Sequence, residues 1–138
     1  MKKFMGVDYG DARTGIAISD LMCSIVGSTM VVPSRNREKA IADIVKLCKD
    51  NLVGEIVVGL PKNMDGTEGV RAELCREFAD LLKEATGLPV TMWDERRTTV
   101  EAHQILSDHN YHGKKRKNTV DAVAASLILE GYLGFRKR

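Results

Sequence analysis

The sequence predicts an α/β fold in which helices cover both faces of a mixed five-stranded sheet. Two apolar stretches near the start, residues 4–8 and 15–20, are separated by a short glycine-rich segment, which is typical of a β-hairpin. Further along, short apolar runs alternate with longer stretches of helical spacing, the pattern of strand–helix–strand units with parallel strands. We therefore expect three antiparallel strands followed by two parallel ones.

Each element is predicted from a local pattern and its end signals. The strands are expected at residues 4–8, 15–20, 28–32, 55–59 and 90–93. The helices are expected at residues 37–49, 68–85, 98–107 and 119–133, with a polar, basic loop at residues 108–117. Gly87 is favourable for ending the second helix, and Thr98 with Glu101 forms a capping box at the start of the third.

Length and composition indicate a single domain spanning residues 1–138. Hydrophobic residues make up 43% of the chain, enough for a core, and the 29% of charged residues have mixed signs. No apolar run approaches the roughly 20 residues of a membrane span, and no signal peptide is recognisable, so we expect a cytoplasmic protein with no membrane partner. The three widely spaced cysteines, Cys23, Cys48 and Cys75, predict neither disulfides nor a zinc site.

Positive charge is concentrated near the C-terminus. The net charge of the whole chain is only +2, yet residues 113–138 contain seven Lys or Arg and two acids. A basic segment on an otherwise acidic body is typical of proteins that bind a phosphate-bearing partner such as nucleic acid. The alternative is a solvated tail that aids solubility.

Acidic residues stand at the ends of three different predicted elements. Asp8 ends the first strand, Asp94 and Glu95 follow the last strand, and Asp121 lies in the first turn of the last helix. A carboxylate beside a buried strand is costly unless a cation or a hydrogen-bond donor compensates it. If these acids meet at one end of the sheet, they provide the oxygen ligands that Mg²⁺ prefers and that two-metal phosphodiester cleavage uses.

Each acid also has a purely structural explanation. Asp8 precedes a glycine-rich turn and is an ordinary turn-forming residue. Asp121 stands three residues after Asn118, where a helix cap would place it favourably in the helix dipole. Asp94 and Glu95 are followed by two arginines, with which they would form ion pairs.

Four motifs occur in order along nearly the whole chain. They are Gly6-Val7-Asp8-Tyr9-Gly10 with Arg13, Gly15 and Ala17; Val58-Gly59-Leu60-Pro61 with Asn63-Met64-Asp65-Gly66-Thr67; Asp94-Glu95-Arg96; and Asp121-Ala122-Val123-Ala124-Ala125 before Ile128-Leu129. Together they resemble the YqgF family, also called RuvX, a branch of the RNase H-like nucleases. Ala12 stands where the family often has Lys, which weakens a phosphate contact there and leaves Arg13 available.

The resemblance implies an RNase H-like fold, a bound Mg²⁺ or Mn²⁺, and cleavage of structured nucleic acid. It implies metal-binding and catalytic roles for Asp8, Asp121 and one acid of the Asp94–Glu95 pair. Many RNase H-like nucleases take the second acid from the end of the fourth strand, but here that strand ends at Gly59 without one. The fifth strand is then expected to supply it. We favour Glu95, with Asp94 as the alternative. Alternation puts the two side chains on opposite faces, so both cannot easily serve at once, and the sequence does not decide which of them faces Asp8.

The residues expected to contact nucleic acid are mostly basic and stand near element ends. They are Arg13, Asn63, Arg96, Lys114, Lys115, Arg116 and Lys117. The basic run precedes Asp121 directly and would attract a phosphate backbone, with an affinity that falls at higher salt. The loop of residues 61–67 would hold phosphate through backbone N–H groups at the following helix start, or serve only as a structural turn.

The resemblance also implies a biological role. It implies maturation of the 5′ end of pre-16S ribosomal RNA, with resolution of four-way DNA junctions as the alternative. A symmetric junction needs two active sites, so a homodimer would favour DNA and a monomer would favour RNA. Two other classes are a non-catalytic nucleic-acid binder and an ATP-binding module, since Asp8, Gly10 and Thr14-Gly15 resemble the first phosphate loop of actin-like ATPases. Those ATPases need two such domains, and 138 residues supply one.

Overall fold

The computed structural model describes residues 2–23, 25–95 and 113–136, and the side chains of the last segment from residue 120 onward. The strands are β1 (Lys3–Asp8), β2 (Arg13–Ser19), β3 (Val26–Pro33), β4 (Val53–Leu60) and β5 (Val90–Asp94). The helices are α1 (Arg37–Asp50), α2 (Val70–Thr86) and α3 (Gly113–Arg136). The helix predicted at residues 98–107 lies outside the described residues.

The strands form one sheet in the order β3-β2-β1-β4-β5. β1 pairs antiparallel with β2, and β2 pairs antiparallel with β3. β4 lies parallel to β1 on one side and to β5 on the other. This arrangement confirms the predicted mixed sheet. Because β1, β4 and β5 are parallel, their carboxyl ends meet at one edge, and this edge also carries the acids singled out above.

The two faces of the sheet pack against different helices. One face carries most of the core and is covered by α1 and α2; its buried residues include Met5, Val7, Ile16, Ile56, Val58, Ile44, Phe78 and Leu82. The other face is covered by α3, through contacts that include Ala17, Val57, Ala125, Ile128 and Leu129. We call these the α1/α2 face and the α3 face. Helices on both faces confirm the predicted layers.

Alternation along β1 assigns Asp8 to the α3 face. Met5 and Val7 belong to the core on the α1/α2 face, so Phe4, Gly6 and Asp8 point the other way. Phe4 indeed packs in the clusters beneath α3. Asp8 therefore leaves the end of β1 towards α3, where the apolar cover of the sheet ends.

Two glycines allow α3 to approach the sheet closely. A Cβ atom on Gly6 would lie 2.9 Å from the carbonyl oxygen of Ala125. A Cβ atom on Gly15 would lie 2.0 Å from the carbonyl oxygen of Asp121, which is an impossible contact. Gly15 is also the residue that pairs with Asp8 across the β1–β2 ladder. The missing side chain at position 15 thus places the backbone of Asp121 beside Asp8.

Helix α3 begins earlier than predicted. The loop expected at residues 108–117 is wrong for its last five residues, because α3 begins at Gly113 and includes Lys114–Lys117. Lys and Arg are good helix formers, and no glycine or proline interrupts the run between residues 114 and 130. Asp121 therefore lies about two turns into the helix, so neither the first-turn placement nor the Asn118 cap is correct. None of the helices formed by the described residues is long and apolar enough to cross a membrane.

Candidate active site

Asp8 stands at the centre of the candidate site. Its side chain is half-buried at the end of β1, the middle strand of the sheet. A hydrogen bond joins its carboxyl group to that of Glu95, and the charge of Asp121 also acts on it. The structure thus brings together Asp8, Glu95 and Asp121, the three acids that the sequence placed at the ends of separate elements.

The geometry of β5 distinguishes Glu95 from Asp94. Met92 packs into the core on the α1/α2 face, whereas Trp93 packs against α3. Alternation along β5 places Asp94 on the α1/α2 side. The Glu95 side chain follows the end of the strand and lies over Gly59 on the α3 side, where Asp8 also lies. The hydrogen bond between Glu95 and Asp8 agrees with this placement. Glu95 is therefore the acid of the pair that reaches the site, as favoured from the sequence.

Asp121 enters the site from α3 and is held by an arginine. The Arg13 Nε atom donates a hydrogen bond to Asp121 Oδ2 over 3.1 Å. The Arg13 side chain is 32% exposed and that of Asp121 is 21% exposed, so the ion pair lies at the border of solvent. Arg13, predicted to contact nucleic acid, is thus located at the site and paired with one of its acids.

The surroundings of the site shift the pKa values of two of its acids, Asp8 and Asp121. Burial, the hydrogen bond that protonated Asp8 donates to Glu95, and the charges of Glu95 and Asp121 raise the pKa of Asp8 to about 9; the charge of Arg71 lowers it. Burial also raises the pKa of Asp121, against the opposing effect of Arg13. Carboxylates this close together repel one another unless protons or cations separate them. Oxygen ligands of this kind suit Mg²⁺ or Mn²⁺, whose positive charge would relieve that repulsion.

The carboxylates are not arranged as a finished metal site. Among the described residues, no group of three or more His, Cys, Asp or Glu side chains has the geometry to hold a metal ion. In the described arrangement, Glu95 is hydrogen-bonded to Asp8, and Arg13 donates a hydrogen bond to an oxygen of Asp121. Carboxylate oxygens are nevertheless the type of ligand that suits a divalent cation such as Mg²⁺.

Arg71 is a basic residue of the site that the sequence did not reveal. It lies in the first turn of α2, and its Nη1 donates to Asp11 Oδ1 over 2.7 Å. Its Nη2 donates to the carbonyl oxygen of Tyr9, and its guanidinium lies 5.0 Å from the centre of the Tyr9 ring. Arg71 thus ties the turn after Asp8 to α2 and brings positive charge towards Asp8. Because these partners lie about sixty residues away in the chain, no local motif indicates the contact.

The loop between β4 and α2 is held by its own hydrogen bonds. The Asn63 backbone N–H donates to the Thr67 carbonyl over 2.8 Å, and Asn63 Nδ2 donates to Thr67 Oγ1 over 2.9 Å. Asp65 Oδ1 accepts from the Thr67 backbone N–H over 3.0 Å. Gly66 adopts a φ of 90°, which glycine tolerates best. Asn63 therefore shapes this loop, and its contact with nucleic acid stays a prediction.

The remaining predicted contacts are placed only in part. Arg96 lies outside the described residues. The backbone of Lys114, Lys115, Arg116 and Lys117 forms the first turns of α3, and their side chains lie outside the described part of the chain. The backbone of the basic run therefore lies about one to two turns before Asp121 along the same helix.

The fold is shared with DNA-junction resolvases of known structure. Fowlpox virus resolvase, solved with its substrate Holliday junction DNA, superposes with a TM-score of 0.66 over 99% of both chains at 8% identity. T. thermophilus RuvC in complex with a Holliday junction substrate gives a TM-score of 0.59 at 11% identity, covering 99% of this chain and 96% of that one. Identities this low establish the fold alone. The protein thus has the RNase H-like fold that the resemblance implied.

Sequence comparison narrows this class to one family. A family model described as "RuvX: Holliday junction resolvase" matches residues 2–134. A protein of Halothermothrix orenii is 44% identical over 136 residues, which cover 99% of this chain and 97% of the relative. A protein of Clostridium novyi is 41% identical over 131 residues, covering 95% and 97%. Both relatives are named "Putative pre-16S rRNA nuclease". The chain therefore belongs to the RuvX family.

Proposed function

We propose that this protein is a divalent-metal-dependent endonuclease that hydrolyses phosphodiester bonds in structured nucleic acid. The observation that carries the proposal is the convergence of Asp8, Glu95 and Asp121 at one edge of the sheet, next to Arg13. Three carboxylates with so few compensating positive charges are unfavourable for stability, which a cation-binding role explains. The nuclease names of its relatives support the same chemistry.

Each residue has a distinct part in the proposed reaction. Asp8, Glu95 and Asp121 would hold Mg²⁺ or Mn²⁺, which when bound supplies an activated water and stabilises the leaving oxygen. Arg13 would exchange Asp121 for a phosphate oxygen of the substrate, because a guanidinium at the border of solvent is well suited to bind phosphate. Arg71 would keep Asp8 in place by fixing the turn that follows it.

The substrate we propose is the 5′ end of pre-16S ribosomal RNA. Relatives that match nearly the whole chain at 44% and 41% identity are named as putative pre-16S rRNA nucleases, whereas the resolvases solved with Holliday junctions are only 8% and 11% identical. Branched DNA is the second candidate, supported by the family's own description as a Holliday junction resolvase. Cleavage of structured RNA needs one active site and is consistent with a monomer. Resolution of a symmetric DNA junction needs two active sites and would require a homodimer.

The first prediction concerns the acids of the site. Asp8→Asn is expected to reduce cleavage at least about 100-fold, because it removes a charged metal ligand while keeping the side-chain size. Nucleic-acid binding is expected to persist, since phosphate contacts come from basic residues. Cleavage is measured with Mg²⁺ or Mn²⁺ on a pre-16S fragment with its 5′ extension and on a four-way DNA junction, side by side.

The matched control is Asp43→Asn on the exposed side of α1, where the carboxylate only pairs with Lys39. It should cleave as the parent does. Parental cleavage by Asp8→Asn would refute the metal mechanism. Cleavage of the junction without the RNA would replace the proposed substrate with branched DNA. Binding of either substrate with no cleavage by the parent protein would favour the non-catalytic binder.

A further inference from the structure

Glu95 reaches Asp8 across an intervening strand. In the sheet order, β4 lies between β1, which ends at Asp8, and β5, which precedes Glu95. Neighbouring strands lie about 4.8 Å apart, so roughly 10 Å separate the backbones of β1 and β5. The Glu95 side chain must therefore lie over the α3 face of β4 to meet the Asp8 carboxyl group.

The residue of β4 beneath that side chain is Gly59. It pairs with Trp93 of β5 and lies on the α3 face. A Cβ atom on Gly59 would lie 2.7 Å from Glu95 Oε1 and 2.8 Å from Glu95 Cγ, distances that real Cβ atoms essentially never show. The same atom would lie 2.6 Å from Ile128 Cδ1 on α3. The space above Gly59 is thus already filled by Glu95 and α3.

Backbone conformation does not explain the glycine at this position. Gly66 and Gly87 are the glycines with positive φ among the described residues, and Gly59 has the extended backbone of a paired strand. Glycine in the interior of a strand lowers stability because it loses more conformational freedom on folding than other residues do. A steric requirement is therefore the physical reason for its presence here.

We propose that Gly59 is a positioning residue that provides the passage through which Glu95 reaches Asp8. The proposal rests on the proposed function for its catalytic consequence, because Glu95 acts there as the second acid. Any side chain at position 59 would fill the passage and turn Glu95 away from Asp8 while leaving Asp8 and Asp121 on their own elements. The end of β4 thus has a glycine and no acid, and the space that this glycine leaves is occupied by the acid that follows β5.

The test separates the two contacts that a Cβ atom would make. Gly59→Ala alone would also press on Ile128, so Ile128→Val, which lacks the Cδ1 atom, is combined with it. The variant Gly59→Ala/Ile128→Val is expected to fold with nearly the thermal stability of Ile128→Val, yet to cleave about 100-fold more slowly, the same loss that we expect of Glu95→Gln. The matched control is Gly27→Ala in β3, where the nearest atom to a Cβ lies 3.4 Å away. It should cleave like the parent.

A double-mutant cycle identifies the route of the effect. In a Glu95→Gln background, adding Gly59→Ala/Ile128→Val should lower the cleavage rate by less than a further threefold, because the carboxylate that Gly59 would position is already absent. A second loss as large as the first would show that Gly59 acts independently of Glu95 and would overturn the proposal. Cleavage by Gly59→Ala/Ile128→Val at the rate of Ile128→Val would overturn it too.

A readout without metal or substrate separates this proposal from the proposed function. With ¹³C-labelled glutamate carboxyls, the Glu95 signal, assigned by its loss in Glu95→Gln, should shift in Gly59→Ala/Ile128→Val and stay in place in Gly27→Ala. If Glu95→Gln cleaves like the parent, the catalytic assignment fails, and a shifted signal still supports the passage. An unshifted signal overturns the passage whatever the cleavage assays show.

Discussion

The two faces of the sheet use the same strands for different purposes. On the α1/α2 face, alternate residues are large and apolar, as with Met5, Val7 and Ile56, and they form the larger part of the core. On the α3 face, the alternate positions include Gly6, Gly15 and Gly59, which leave room for backbone and for acidic side chains. Burial of apolar surface stabilises the first face. On the α3 face, the close approach of α3 to the sheet brings charged groups together and lowers stability. The comparison shows that the candidate site lies on the face where the side chains of the sheet are smallest.

The largest expected effect tests the α1/α2 face as the source of stability. Leu82→Ala, at a fully buried position of α2, should lower the free energy of unfolding by about 2–5 kcal/mol because it leaves a cavity. Urea unfolding measures this, and Leu81→Ala, at the partly exposed neighbour, should cost clearly less. Specific activity of the folded Leu82→Ala protein should match the parent. A loss of specific activity as large as that of Asp8→Asn would mean that the two faces are not separate in function.

The next effect tests the close approach of α3. Gly15→Ala should destabilise the protein by about 1–3 kcal/mol and also reduce cleavage, because the new methyl group pushes the Asp121 backbone away from Asp8. Unfolding and cleavage are measured together on this variant. Gly27→Ala, also in a strand but with no contact closer than 3.4 Å, should change neither quantity by much. Equal behaviour of the two variants would show that α3 does not need the space above Gly15.

The last expected effect is a pH-dependent gain in stability when the Asp8 carboxyl group on the α3 face is replaced. The pKa of Asp8 is raised from its usual value of 3.8 to about 9, so between these values the folded protein keeps a proton that the unfolded chain releases. Stability of the parent therefore falls as pH rises through this range. Asn at this position does not titrate, so without divalent metal the stability of Asp8→Asn relative to the parent should rise as the pH is raised from 4 to 8.

Thermal unfolding in a chelator, at a series of pH values, measures this difference. Added Mg²⁺ or Mn²⁺ should reverse the order by stabilising the parent and not Asp8→Asn. Asp43→Asn again serves as the control for the loss of a carboxylate, this one paired with Lys39 on α1. A constant difference across pH would contradict an Asp8 carboxyl that is protonated in the folded, metal-free protein.

Much of this fold could be predicted from local patterns. The five strands, their directions and the first two helices follow from periodicity and from glycine and proline at element ends, and observed bounds differ by only a few residues. The start of α3 could not be predicted in this way. A polar, basic stretch reads as a loop, whereas the good helix propensity of Lys and Arg extends α3 back to Gly113.

The candidate site was predictable in its residue types and only partly in its geometry. Asp8 and Asp121 were singled out from their positions at element ends, and Arg13 from its motif. The choice of Glu95 over Asp94 depended on knowing which face of β5 packs against α3. Arg71 could not be found, because its contacts with Tyr9 and Asp11 join distant parts of the chain.

The sequence by itself determined the order of the elements that the structure describes, the candidate acids and the family, because periodicity, turn residues and motifs are local properties. Only the tertiary structure decided that the Glu95 side chain lies over Gly59 of β4. It also decided that α3 packs with the Asp121 backbone against Gly15. Those contacts join residues from 36 to more than 100 positions apart. Their existence depends on strand order and helix distance, which the packing of the whole domain sets and no single segment encodes.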